Sequence, residues 1–356
     1  MAAPRESRAR RSRRRAATAP APITLRDVAR AARVAESTVS RALAGDTRIS
    51  AATRAAVKRI ARRLGYAPNA LARGLAGGGA DVVGVVIPRT AEYTFASPFH
   101  LAMLKGVSRV LQDAGQLLLL SFLEKRDYVA LYRSGLCRGV IVLMSRIGDR
   151  QVAALARQRV PTVLIPGDPG LPGVAAVNFD VAAPTAEAMR RLLDLGHRRI
   201  GFVGGAPDSL FHVDRLSAFH RALAEAGVSS DPRLVGETNF TPAEARERAL
   251  TLLARSERPT ALVCSGDLIA QGVLAAARDL DLHVPGDLSV VSLSALPGPR
   301  VTAPGIAAVI SDFDQAGATA AALLLDLVVG GPVPPSPVRL PTVFDPAASI
   351  APPGRG

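Results

Sequence analysis

Near its start the chain places apolar residues at helical spacing. Leu25, Val28, Ala29 and Ala32 share one face of a helix opened by Thr24, with Asp27 three residues on as the second half of an N-cap pair. After a break at Arg33–Val34, Ser37–Leu43 reads as a second short helix ended by Gly45. Ser50 caps a third, whose apolar stripe is Val57, Ile60, Ala61 and Leu64 and whose stop is Gly65. Three short helices with a tight break between the first two fit a helix-turn-helix, whose second helix enters the major groove of DNA.

The pattern then changes. Pro68 to Leu75 makes only a marginal helix alone and runs into the glycines Gly77–Gly79, so residues 68–80 read as a hinge helix and linker. Beyond them, continuous apolar runs predict buried strands at Val82–Ile87, Leu117–Phe122, Val140–Met144, Thr162–Ile165, Ile200–Val203, Ala261–Cys264 and Ser289–Leu293. Helical stretches alternate with them at Leu101–Ala114, Ala182–Leu195, Leu216–Ala226, Ala243–Ala254 and Leu268–Leu280. Uninterrupted apolar strands separated by helices predict parallel sheets covered on both faces. They are too many for one sheet, so two lobes with a ligand cleft between them are expected.

The expected fold is therefore α/β, with an all-α helix-turn-helix headpiece and a two-lobed core of doubly wound parallel sheets. Its parts are an Arg-rich tail (1–22), the headpiece (23–67), the hinge and linker (68–80), the core (81–346) and a short tail (347–356). Within the core, the first lobe is expected to take residues 81–180 plus 310–328, and the second 181–309 plus 329–346.

Charge sharpens this picture once it is divided by position. Residues 1–75 hold 18 of the 44 basic and 4 of the 30 acidic side chains, so the whole formal net charge of +14 lies there and the remainder is neutral. A neutral body with a basic head implies a polyanion partner; nucleic acid leads and an anionic membrane surface follows. The apolar fraction of 48% excludes a disordered chain, and no apolar run reaches the ~18 residues of a membrane span. The Arg-rich start lacks the apolar segment of an export signal, which Pro20 and Pro22 would break. Cys137 and Cys264 are too few for a disulfide scaffold and point to a reducing compartment. The five His have no metal spacing, and no nucleophile elbow, phosphate-binding loop or paired-carboxylate signature is present, so neither an enzyme, a cofactor nor a metal is expected.

At Thr24–Gly45 the residues become recognisable. TLRDVARAARVAESTVSRALAG, then RISAATRAAVKRIARRLGYAPNALARGL, closely resembles the lac-repressor (LacI/GalR) family of bacterial transcription regulators. The likeness continues through VVGVVIP, LGHRRIGFVGG, DRLSAFHRALAEAG and VPGDLSVVSL and spans about residues 23–346. It implies a headpiece, a hinge helix and a dimerising core similar to periplasmic binding proteins. Carried over by position, it puts Thr24, Glu36, Ser37, Thr38, Ser40 and Arg41 at the DNA, on or beside the recognition helix. Asn69, Ala72 and Arg73 follow on the hinge helix, and Leu75 matches a leucine wedge that opens a base step in the minor groove. For the effector cleft it implies Phe99, Asp180, Arg215, Asp267 and Ser294.

Several positions depart from the family pattern. Ala35 replaces a usual Ser and so removes a helix cap, Arg33 replaces a frequent turn Gly, and Glu36 stands where base-reading side chains are common. In the cleft, Gly266 stands for an Asn, and Ser294 and Ala295 for a pair of Asp. Fewer carboxylates leave fewer acceptors for sugar hydroxyls and leave Arg215 a donor without a counterion, which favours an anionic or carbonyl ligand over a neutral monosaccharide. The expected function is a cytoplasmic, homodimeric, sequence-specific regulator, a repressor, that binds double-stranded operator DNA under control of a small-molecule effector, carbohydrate-related or another metabolite. A regulator of the same fold without an effector is the alternative.

Overall fold

The computed structural model describes residues 23–66, 81–122, 127–167, 171–298 and 302–354. The chain divides into two compact units, residues 1–73 and 74–356. The expected Arg-rich tail and hinge helix lie outside the described residues.

The first unit contains helices α1 (Leu25–Ala32), α2 (Glu36–Leu43) and α3 (Ala51–Leu64). A capping box opens α1: the Asp27 amide donates to Thr24 Oγ1 at 3.3 Å, and the Thr24 amide donates to the Asp27 carboxylate at 3.0 Å. Arg33 ends α1 in the left-handed region at φ 54°, a conformation glycine adopts without penalty and arginine at a cost of about 1 kcal/mol. Ala35 precedes α2 with extended backbone and gives no side-chain cap. Ser50 caps α3 by accepting from the Thr53 amide, and Gly65 ends it at φ 68°. Val28, Val39, Ala42 and Val57 are buried between the three helices and form a core of their own. Replacing Ala35 by Ser supplies the missing acceptor and is expected to stabilise the headpiece by roughly 1 kcal/mol, read from urea unfolding. An unchanged midpoint would show the α2 terminus to be satisfied already.

In the second unit two six-stranded sheets carry the chain. The first lobe contains β1 (Val82–Val86), α4 (Ala91–Ala96), α5 (Pro98–Asp113), β2 (Leu117–Ser121), α6 (Tyr128–Arg133), β3 (Val140–Leu143), α7 (Arg150–Arg157), β4 (Thr162–Ile165) and β5 (Ala175–Phe179). The second contains α8 (Ala182–Asp194), β6 (Ile200–Gly204), α9 (Leu210–Glu225), β7 (Val235–Glu237), α10 (Pro242–Leu253), β8 (Ala261–Cys264), α11 (Asp267–Asp279), β9 (Ser289–Ala295) and β10 (Ala307–Ser311). The chain then returns to the first lobe with α12 (Phe313–Val328) and β11 (Val338–Leu340), and ends in the second with β12 (Thr342–Asp345).

Strand order is β11-β5-β4-β3-β1-β2 in the first sheet and β12-β10-β9-β8-β6-β7 in the second. All pairings are parallel except β10 with β12, so the second sheet has an antiparallel edge. Strand side chains alternate between faces. Val83, Val85 and Ile141 pack against Met103 and Val107 of α5 and Ala320 of α12, while Val86, Val140 and Val142 face Tyr128 of α6 and Val152 and Leu155 of α7. The second lobe repeats the arrangement, with α10 and α11 on one face and α8 and α9 on the other.

Two expected boundaries change. Residues 338–340 pair with β5 at Val338↔Val177 and Leu340↔Phe179, so they belong to the first lobe and not, as the range 329–346 has it, to the second. Residues 310–311 close β10 and belong to the second. The segment expected as a free tail is also bound into the second lobe: fully buried Ser349 accepts from the Ala307 amide at 2.8 Å, and the Ala351 carbonyl sits 2.8 Å from His197 Nε2. The chain thus passes between the lobes three times. The first and third passages are tied together, since the Asp180 amide donates to the Leu340 carbonyl (2.8 Å) and Thr342 Oγ1 donates to the Asp180 carbonyl (2.5 Å). The lobes also meet where Arg146 pairs with Asp208 and the Ile147 amide donates to the Asp208 carbonyl at 2.8 Å.

Candidate nucleic-acid interface and ligand cavity

Helix α2 has one buried and one open side. Val39 and Ala42 are fully buried against α1 and α3, Thr38 is half-buried, and Glu36, Ser37, Ser40 and Arg41 are exposed. Positions i, i+1, i+4 and i+5 form a continuous helical face, so these four side chains are presented together. Thr24 is exposed, but its hydroxyl already lies 2.6 Å from the Asp27 carboxylate as part of the cap. Residues 23–66 carry ten basic and three acidic side chains, a local excess of +7. Short hydroxyls and a guanidinium on such a surface match phosphate oxygens and the O6/N7 edge of guanine. Asn69, Ala72, Arg73 and Leu75 lie outside the described residues.

In the core, the switch points of the two sheets define the ligand cavity. Strand order reverses at β1 in the first lobe and at β6 in the second, and loops at the carboxyl ends of such strands form a crevice. Tyr93, Phe99 and His100 follow β1, and Met144 follows β3. Ser265 and Gly266 follow β8, and Ser294 lies near the end of β9. These residues, with Phe211, Arg215, Phe240 and Phe313, line one cavity.

Of the five expected cleft residues, the structure brings three together: Phe99, Arg215 and Ser294 line this cavity. Asp267 opens α11 and lines an adjoining depression that shares Phe99 and Leu268 with it. Asp180 does not join them. It sits on the first lobe crossing, exposed, beside a separate depression lined by Asp214, Arg221 and Arg339.

Arg215 anchors the polar end of the cavity. It is 3% exposed, its Nε donates to the Leu293 carbonyl at 3.1 Å and its Nη1 to the Phe211 carbonyl at 3.3 Å, and its guanidinium lies 4.7 Å over the Phe211 ring. Burial lowers its pKa to about 10, with Asp214 opposing, so it remains charged at neutral pH. His100 is driven the other way in charge: burial, aided by Arg89, lowers its pKa to about 4 and holds the imidazole neutral.

The aromatic wall came from positions that periodicity does not mark. Phe99 and Phe313 have centroids 5.0 Å apart, and Phe211 is 6.0 Å from Phe313. Phe240 adopts φ 62° and Met144 φ 57°, left-handed backbone that costs a bulky residue on the order of 1–3 kcal/mol and tends to persist where function requires it. Gly205 makes the Phe240 position possible, because a Cβ there would lie 1.8 Å from the ring. The sequence signal available was the pair Gly204-Gly205 at a strand end, a mark of close backbone approach. Among the described residues, no group of His, Cys, Asp and Glu could hold a metal ion, and no helix is long and apolar enough to cross a membrane.

A helix-turn-helix unit ahead of a two-lobed α/β core with a ligand cavity defines the class of DNA-binding regulators. Comparison with known proteins agrees. The model of bacterial regulatory proteins, lacI family, matches residues 24–69, and that of a periplasmic binding protein-like domain matches residues 189–349. The transcriptional regulator CelR of Thermobifida fusca is 32% identical over 323 residues, covering 89% of this chain and 94% of its own. The regulator GalR of Escherichia coli is 32% identical over 332 residues, covering 91% and 93%. Among solved structures, a CelR–cellobiose complex superimposes with a TM-score of 0.69 at 30% identity over 92% of this chain and 99% of that one. A lac repressor dimer bound to operator and the anti-inducer ONPF shares the fold, with a TM-score of 0.78 at 23% identity over 93% and 99%. The chain belongs to the lacI family of bacterial regulatory proteins and is a DNA-binding transcriptional regulator.

Proposed function

We propose that the protein is a cytoplasmic homodimeric repressor that reads a near-palindromic operator with two headpieces and is switched by a small molecule in the interlobe cavity. It binds and does not catalyse. The observation that carries the DNA reading is the open face of α2, where Glu36, Ser37, Ser40 and Arg41 are exposed over a fully buried Val39 and Ala42. By family position Thr24 and half-buried Thr38 join the DNA-binding set, with Asn69, Ala72 and Arg73 on the hinge helix and Leu75 as the minor-groove wedge. A two-fold dimer sees a two-fold site, which fixes half-site spacing. Effector binding between lobes that are tied at the Asp180–Leu340 crossing and at Arg146–Asp208 changes their closure, and closure sets whether the headpieces can occupy both half-sites.

Arg41→Ala is expected to weaken operator binding by about 1–3 kcal/mol per half-site, measured by fluorescence anisotropy, whereas Arg10→Ala should cost far less. Equal losses would remove α2 from the role of recognition helix. Light scattering of the full chain at micromolar concentration is expected to give twice the 37.0 kDa chain mass. A monomer at that concentration would exclude the two-half-site mechanism.

A further inference from the structure

The cavity between the lobes holds polar atoms that the protein leaves unused. Arg215 Nη2, Ser265 Oγ, Ser294 Oγ and both ring nitrogens of His100 have no hydrogen-bond partner among the described residues. Their residues are 3%, 0%, 3% and 1% exposed, and all four line the same cavity. Buried polar groups are normally paired, so four unpaired groups on one cavity mark the place of a guest that completes them.

The inventory is specific. Among the described residues, Arg215 is the one charged group in the lining, and no carboxylate lines the cavity with it. The two serine hydroxyls can donate, and the neutral His100 offers one donor and one acceptor. A neutral sugar needs acceptors for several hydroxyls, and of the unpaired groups only two serine oxygens and one imidazole nitrogen can accept. It would also bring no negative charge to the unpaired Arg215 Nη2. A ligand carboxylate does the opposite, accepting from Arg215 Nη2 and from both hydroxyls.

The rest of the lining is apolar. Phe99, Phe211, Phe240 and Phe313 present rings, and Tyr93 packs edge-on against His100 at 5.6 Å. Gly266 leaves its side of the cavity open, since a Cβ built there meets nothing nearer than the Ser294 carbonyl at 3.8 Å. A lining made chiefly of rings suits a flat guest, a single ring with one polar substituent.

We propose that the effector is a single-ring aromatic carboxylate, its carboxylate held by Arg215, Ser265 and Ser294, its ring enclosed by Phe99, Phe211 and Phe240, and a ring hydroxyl or carbonyl met by His100. This deepens, and rests on, the effector-controlled reading above. The test uses the purified full chain in thermal-shift and calorimetric titrations with benzoate, 4-hydroxybenzoate and phenylacetate, against benzamide, glucose and cellobiose. At least one carboxylate is expected to raise Tm by several degrees, and benzamide to bind roughly tenfold or more weakly, because it lacks the charge that pairs with Arg215. Arg215→Met should lower carboxylate affinity at least about tenfold. Should that variant fail to fold, Ser294→Ala and Phe240→Leu are expected to give several-fold losses on their own. Stabilisation by glucose or cellobiose that persists in Arg215→Met overturns the proposal, and so does silence of all three carboxylates. Retardation of operator DNA by the unmodified protein, run in parallel, separates the two readings. A protein that binds operator while ignoring the carboxylates loses only the ligand class, and one that never binds operator loses the regulator reading itself.

Discussion

Cutting the chain back to residues 77–356 is expected to leave a cooperatively folding protein that does not retard operator DNA. The core keeps both sheets and all four of its hydrophobic clusters, none of which includes a headpiece residue. What it loses is the entire net charge and the helix that presents Ser40 and Arg41. Phosphate contacts supply essentially all non-specific affinity, so a neutral core has no means of binding DNA even weakly. The whole protein should instead lose affinity steeply with salt, by about a thousandfold or more between 50 and 200 mM for six or more neutralised phosphates in the dimer. Anisotropy titrations at several salt concentrations measure both effects. A core fragment that shifts operator as well as the whole chain would place DNA binding outside the headpiece.

Gly106→Val is expected to destabilise the core by roughly 3 kcal/mol or more, although glycine is a poor helix former and its replacement in an open helix is stabilising. Helices α5 and α12 touch backbone to backbone at this point. A Cβ on Gly106 would lie 1.9 Å from the Asp314 carbonyl oxygen, and one on Gly317 would lie 2.0 Å from that of Met103. No rotamer relieves a clash with main chain, so the helices must separate and give up the packing of Met103, Val107, Phe313 and Ala316. The ion pairs that join the same helices, Lys105 and Arg109 with Asp314 at 2.9 and 2.7 Å, involve exposed cations. Lys105→Ala should therefore change stability by only about 0.5 kcal/mol, which makes it the control. Urea unfolding of both variants decides the point. A Gly106→Val protein as stable as the parent would mean that the two helices are not in close contact.

The headpiece was legible because its signals are local. Thr24 with Asp27, Ser50 and Gly65 each act within one helical turn, and each appears in the role its residue type implies. The central strands were legible for a related reason, since burial on both faces demands unbroken apolar runs such as Val82–Val86 and Val140–Leu143. Strand β5 escaped because Asn178 interrupts its apolar run. Its side chain is buried and bonds both the amide and the carbonyl of Gly167, a tertiary pairing that no local pattern encodes. Strands β11 and β12 are short and half-exposed, and carry no run at all. The cavity was legible in part. Arg215, Phe99 and Ser294 followed from family position, while His100, Phe240 and Ser265 matter because of what they lack or how they are strained. Asp180 shows the converse: it matches the family at its position, but the structure places it on the hinge beside Leu340 and Thr342, away from Arg215.

The three passages between the lobes also bear on how such a protein can be rearranged by recombination. A break before α12 strips the first lobe of the helix that covers its sheet and of strand β11, and strips the second of β12 and its buried Ser349. Neither lobe is a contiguous piece of gene, so a single exchange can neither duplicate one nor replace one with a relative's. The headpiece is different, since the unit that ends at residue 73 precedes the unit that begins at residue 74 without interleaving. One crossover there delivers a new operator specificity to an old effector cavity, and the cavity can diversify only by point substitution within an inherited frame.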